Sequence, residues 1–147
     1  DLLARAEEYY QQAGTPCSLE KYPGPVEAKA AAAATGAGHA IAFVTAEGFA
    51  LLRIDHPTLT LEVATLHNFL DEYLKSQAKA RIDYIHGDDA VTRLGSQKSN
   101  IGFYLPSISK HDLFRTIVRD GALPRKTFSM GEADEKRFYL EARRITR

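Results

Sequence analysis

The sequence predicts an α/β fold: a mixed parallel and antiparallel sheet with helices packed on it, preceded by a helical amino-terminal segment. Three observations carry that expectation. Residues 61–74, LEVATLHNFLDEYL, place Val63, Leu66, Leu70 and Leu74, with Leu59 ahead of them, in steps of three and four that draw one apolar stripe along a helix. Residues 39–45 and 49–54 are apolar runs rich in β-branched and aromatic side chains. They are separated by Ala46, Glu47 and Gly48, a hairpin signal with glycine where a positive φ is needed. Beyond them, strand-like and helix-like runs alternate, and a β-α-β-α order implies some parallel pairing.

The elements follow in order. Leu2, Leu3, Ala6, Tyr9 and Tyr10 make a helical stripe that ends near Gly14. Residues 15–25 hold Pro16, Pro23, Gly24 and Pro25 and read as a turn-rich linker. Residues 26–34 are nearly all alanine, with high helix propensity and little apolar bulk, and read as a helix stopped by Gly36 and Gly38, packed by its small residues or partly mobile, with a spacer helix the preferred plain reading. Pro57 closes the segment after the hairpin, and Thr58 and Thr60 offer hydroxyls to the orphan amides that open the central helix. Residues 81–86 alternate Ile82, Tyr84 and His86 against Arg81, Asp83 and Ile85, the pattern of a strand with one wetter face. A short helix spans 88–94, with Asp88 or Asp89 suited to its N-cap. Residues 100–105 read as a short buried strand. Ser109 caps a helix with Leu113, Ile117 and Val118 on its inner face, ended by Gly121. Residues 126–130 and 137–145 form a closing hairpin around the charged turn GEADEK. The whole is one domain over 1–147, with 1–38 a helical, linker-rich approach and 39–147 the mixed-sheet core.

Composition narrows the function classes. With 19 basic and 19 acidic residues the formal net charge is zero, so no global field draws the chain to nucleic acid or to an anionic membrane. Duplex binding in particular lacks its basic stripe. The 147 residues suffice for a core that buries roughly two thirds of the unfolded surface. Cys17 is the single cysteine, which excludes an internal disulfide and fits a reducing, cytoplasmic setting. No apolar run approaches a membrane span and no signal peptide opens the chain. Asp1 leads straight into a helical pattern, which reads as a cut inside a longer protein.

A few residues are candidates for chemistry. His67 falls on the apolar stripe, either as a core histidine bonded to backbone or as a buried acid, base or ligand. Asn68 points closer to solvent. His86-Gly87-Asp88-Asp89 follows a predicted strand and opens a helix, a place where α/β proteins put functional groups, so Asp88 is a second catalytic candidate beside its plainer reading as a cap. Two carboxylates and an imidazole can hold a divalent cation, but His39, His56 and His111 show no ligand spacing, and no metal site is expected. Arg125, Lys126 and Thr127, after Pro124, combine two cations with a hydroxyl, a phosphate or carboxylate contact where a solvated loop is the plain alternative. Arg143, Arg144 and Arg147 cluster at the carboxyl end and could add to that patch, although alternate positions on a strand point opposite ways. Gly36 and Gly38 lack the Lys-Ser/Thr of a phosphate loop, and Cys17 has no evident activator. No cofactor follows from these residues.

The pieces VATLHNFL, IDYIHGDDAV, IGFYLPS with its following helix, and GALPRKTF with the strand RFYLEARRI occur in that order from Thr60 onward. In this order the chain resembles the carboxyl-terminal part of a widespread bacterial and archaeal family, the domain-of-unknown-function family numbered 1015. Members usually read Pro-Pro-Lys-Ser-Thr and then aromatic residues near the last loop. Here Leu123-Pro124-Arg125-Lys126-Thr127-Phe128 keeps the lysine, a hydroxyl and an aromatic, with one Ser/Thr position fewer. The family brings no assigned activity. Its amino-terminal part resembles the ParB/sulfiredoxin-like group through an Asp-Gly-His-His-Arg type motif of the sort that handles nucleotide phosphates, which this chain lacks. The resemblance implies an accessory or interaction domain without activity of its own. Its partner would be the amino-terminal part of the same protein, or a second copy in a homo-oligomer. The alternative is that His67, Asp88 or Lys126 completes a nucleotide-dependent phosphotransfer site shared with that part, where cations neutralise spreading charge and a polar group orients the nucleophile.

Overall fold

A computed structural model describes residues 2–106 and 113–121. The order is α1 (Leu2–Gln12), β1 (Cys17–Tyr22), α2 (Pro25–Ala33), β2 (His39–Thr45), β3 (Gly48–Ile54), α3 (Glu62–Ser76), α4 (Asp88–Gly95), β4 (Ile101–Tyr104) and α5 (Leu113–Asp120). The hairpin forms as its residues dictate: Thr45 faces Gly48 across a two-residue turn, and Gly48 takes φ 118°, which a side chain would resist.

The sheet runs β1-β3-β2-β4, and every pairing in it is antiparallel. The expected parallel pairing is thereby corrected for the described residues. Because β3 and β4 are both antiparallel to β2, they do point the same way, as a β-α-β crossover suggests. But α3, the coil 77–87 and α4 carry the chain across β2 and lay β4 on its far side, so β2 lies between them.

Alternate residues of the central strands feed two cores. Ile41, Phe43, Leu52 and Ile54 meet Tyr10 of α1 and Leu66, Phe69 and Leu70 of α3 on one face. Ala40, Ala42, Val44 and Leu51 meet Ala28 of α2 and Tyr104 on the other, with Val91 of α4 packed against them. The result is three layers, α/β/α. Both faces of β2 are covered, so it is buried at six successive positions and reads in sequence as a continuous apolar run.

Several expectations are corrected. The linker at 15–25 contains β1, an edge strand in which only Cys17, Glu20 and Tyr22 are half-buried, too polar to signal itself. Arg53 of β3 holds it from the side, donating from Nε to Glu20 Oε1 at 2.9 Å and from Nη1 to Thr35 Oγ1 at 2.9 Å. The alanine run is the expected helix, packed by its small residues rather than a spacer: α2 starts with Pro25 at its first turn and buries Ala28 completely, its methyls letting the helix lie close on the sheet. Residues 81–86 pair with no strand among the described residues; Ile82 instead packs on the first core. Neither Thr58 nor Thr60 caps α3, whose N-cap is Leu61, and Gly87 at φ 89° rather than an aspartate caps α4. Asp88 and Asp89 sit in its first turn, where the helix dipole favours negative charge. The predicted cap Ser109 and the closing hairpin at 126–130 and 137–145 lie outside the described residues.

Candidate functional site

In α5, LFRTIVRD, a turn of 100° per residue sets Thr116 and Asp120 on one ridge, Phe114 and Val118 on a second, and Arg115 and Arg119 on a third. The helix is seated on the polar ridge. Thr116 is buried, and Asp120 Oδ2 accepts from the Thr60 amide at 2.6 Å. Phe114 is 75% and Val118 87% exposed, and Ile117 40%. The expected inner face of Ile117 and Val118 is corrected. The reason lies in the surface beneath: a half-buried backbone N–H demands an acceptor, and a carboxylate meets that demand where an apolar side chain would leave the amide unpaired.

The seat is a knot of polar groups between layers. His39, first residue of β2, is buried; its Nδ1 lies 3.0 Å from Thr65 Oγ1 and its Nε2 3.3 Å from the Thr60 carbonyl. A carbonyl only accepts, so Nε2 carries the proton and the Thr65 hydroxyl donates to Nδ1. Tyr10 donates its phenol hydroxyl to the Thr65 carbonyl at 3.1 Å, and burial pushes that phenol well up. Burial lowers the pKa of His39, against the opposing pull of Glu62, the Thr60 carbonyl and Asp120. Thr60 Oγ1 is buried and unpartnered.

A neutral imidazole accepting from a threonine hydroxyl is the arrangement of a base and its nucleophile. Access decides against that chemistry here. Thr65 is 8% exposed, and the depression it lines with Tyr9, Tyr10, Thr15, Thr58 and Asn68 holds about 60 Å³, while ligand pockets run to roughly 300–1,000 Å³. The knot holds elements together.

The two described candidates read from sequence, His67 and Asp88, lie apart from one another. His67, buried on α3, stacks on Tyr84 with ring centroids 5.8 Å apart and planes 21° from parallel, fastening the 77–87 coil to the helix. Asp88 forms an ion pair with Lys29, which joins α4 to α2 on the opposite face of the sheet. Beside it Thr92 Oγ1 and the Tyr104 hydroxyl are 2.7 Å apart. His67 and Asp88 therefore share no site. Arg125, Lys126 and Thr127 lie outside the described residues. Burial raises the pKa of the Cys17 thiol, which keeps it a poor nucleophile. Among the described residues no group of three or more His, Cys, Asp or Glu is placed to hold a metal ion, and no helix is long and apolar enough to cross a membrane. Sequence reasoning missed His39, Thr65 and Asp120; the one available signal was a histidine opening an apolar strand.

Fold and surface together define a three-layer antiparallel α/β domain that displays an apolar helix ridge. Comparison with protein-family models, curated proteins and solved structures gave no match.

Proposed function

We propose that this chain is an accessory interaction domain, without activity of its own, of a cytosolic protein of the family it resembles. Its partner is the amino-terminal part of that protein. The carrying observation is α5: a helix held by its polar ridge that leaves Phe114 and Val118 open to solvent. Exposed aromatic and β-branched side chains adjoining on one helix face are what a docking surface offers. The order of sequence pieces from Thr60 onward supports the placement within the family, and the single, half-buried thiol Cys17 fits a reducing compartment.

The test compares Val118→Cys in this chain with the same substitution in the longer protein that carries the amino-terminal part. Maleimide labelling at position 118, read by peptide mass, is expected to be at least about tenfold slower in the longer protein, because a docked surface must open before it reacts. Equal rates would remove this reading.

A further inference from the structure

We infer that α5 docks an amphipathic helix whose apolar stripe is edged by carboxylates; this names the partner chemistry for the interaction reading above and rests on it. Phe114 and Val118, four residues apart, form one outward ridge. Arg115 and Arg119 form the next, both exposed. Among the described residues neither arginine ends in an ion pair, as is also true of Lys21, Lys79, Arg81, Arg93 and Lys98. Two unpaired cations along an apolar ridge favour a partner of the opposite charge and repel one of the same charge. The ridge of Thr116 and Asp120 is committed to Thr60, so the two outward ridges are already in place for a helix that packs ridge into groove.

Charge argues against the other occupants. A second copy meeting α5 on α5 would set arginine against arginine. A lipid surface is a poor match because membrane binding scales with the apolar area buried, and eight residues, about 12 Å of helix, offer little of it. The balanced chain adds no long-range attraction to anionic lipid.

The experiment measures fluorescence anisotropy of the 147-residue chain with two labelled helical peptides of about 16 residues, one with a leucine stripe edged by glutamates, the other with lysines in their place. The glutamate-edged peptide is expected to bind about tenfold tighter or more. Arg115→Glu with Arg119→Glu should reverse the preference, and Val118→Asp should abolish binding of both. All three positions are exposed, so the variants fold. Equal affinities, or no binding of the glutamate-edged peptide, would overturn the inference. So would binding to phosphatidylserine vesicles with neither peptide bound, or a dimer of the chain dispersed by Val118→Asp. The two readings fail separately. Slow labelling at position 118 in the longer protein with charge-indifferent peptide binding keeps the interaction domain and overturns the partner chemistry. Fast labelling with the expected peptide preference does the reverse, and moves the partner outside the protein.

Discussion

The amide of Thr60 is satisfied from sixty residues away, by the Asp120 carboxylate at 2.6 Å, and that one bond decides which face α5 turns inward. A bond to a charged acceptor in a half-buried site is worth about as much as the burial of one apolar side chain on the same short helix, and an amide left unmet would add its desolvation cost. Asp120→Ala should therefore destabilise the chain by about 1–3 kcal/mol in urea denaturation, since the amide is then left without an acceptor. Asp120→Asn keeps a carbonyl oxygen in place and should lose less. Wild-type stability in Asp120→Ala would show that the bond is not what seats the helix. None of this was legible in the chain. A contact across sixty residues leaves no periodic trace, and Asp120 reads only as a polar residue at a helix end. His67 was legible as buried, yet its partner Tyr84 was assigned to a strand, where the described residues form coil.

Among elements, those with strong periodicity were legible and those held by neighbours were not. The stripe at Val63, Leu66 and Leu70 marks α3 correctly, because those side chains are the core contact itself. In β1 the backbone ladder to β3 and the Arg53–Glu20 pair do the holding, and neither shows in a hydropathy pattern. The seating of α4 on β4 is similarly hidden in two glycines. A Cβ at Gly95 would lie 2.6 Å from the Gly102 nitrogen and 2.7 Å from Val44 Cγ1. Alanine ordinarily improves on glycine inside a helix by up to about 1 kcal/mol. Here the nearest atom is backbone and cannot yield, so Gly95→Ala should instead cost about 1–3 kcal/mol, as overpacking does. Gly36→Ala, where no atom lies within 4 Å, serves as the control and should be neutral or mildly stabilising. Thermal denaturation of the two variants checks the sign, and a stabilised Gly95→Ala would mean that α4 rides further from the sheet.

At the scale of the molecule, the class followed from the alternation of patterns, whereas the sheet order did not. Direction along a crossover is constrained by the chain; which neighbour a strand takes depends on where β2 already lies. The same assembly places His39 where β2, the loop at 55–61 and α3 meet, beneath α5, and this ties global stability to pH. Burial lowers its pKa from the usual value near 6.5, with Glu62 and Asp120 opposing. Below 6.5 the unfolded chain takes up a proton that the folded one refuses, so stability rises with pH there. The contribution is complete above 6.5 and is lost as the pH falls from that value through the depressed folded value. His39→Gln can still accept from Thr65 and donate to the Thr60 carbonyl, and it does not titrate. Denaturation of both proteins on either side of the imidazole range, at pH about 7.5 and about 5.5, isolates the effect from the carboxylates they share. The stability of wild type relative to His39→Gln should fall at the lower pH. A constant difference would mean that Glu62 and Asp120 fully offset burial, and that the knot beneath α5 accepts a charged imidazole.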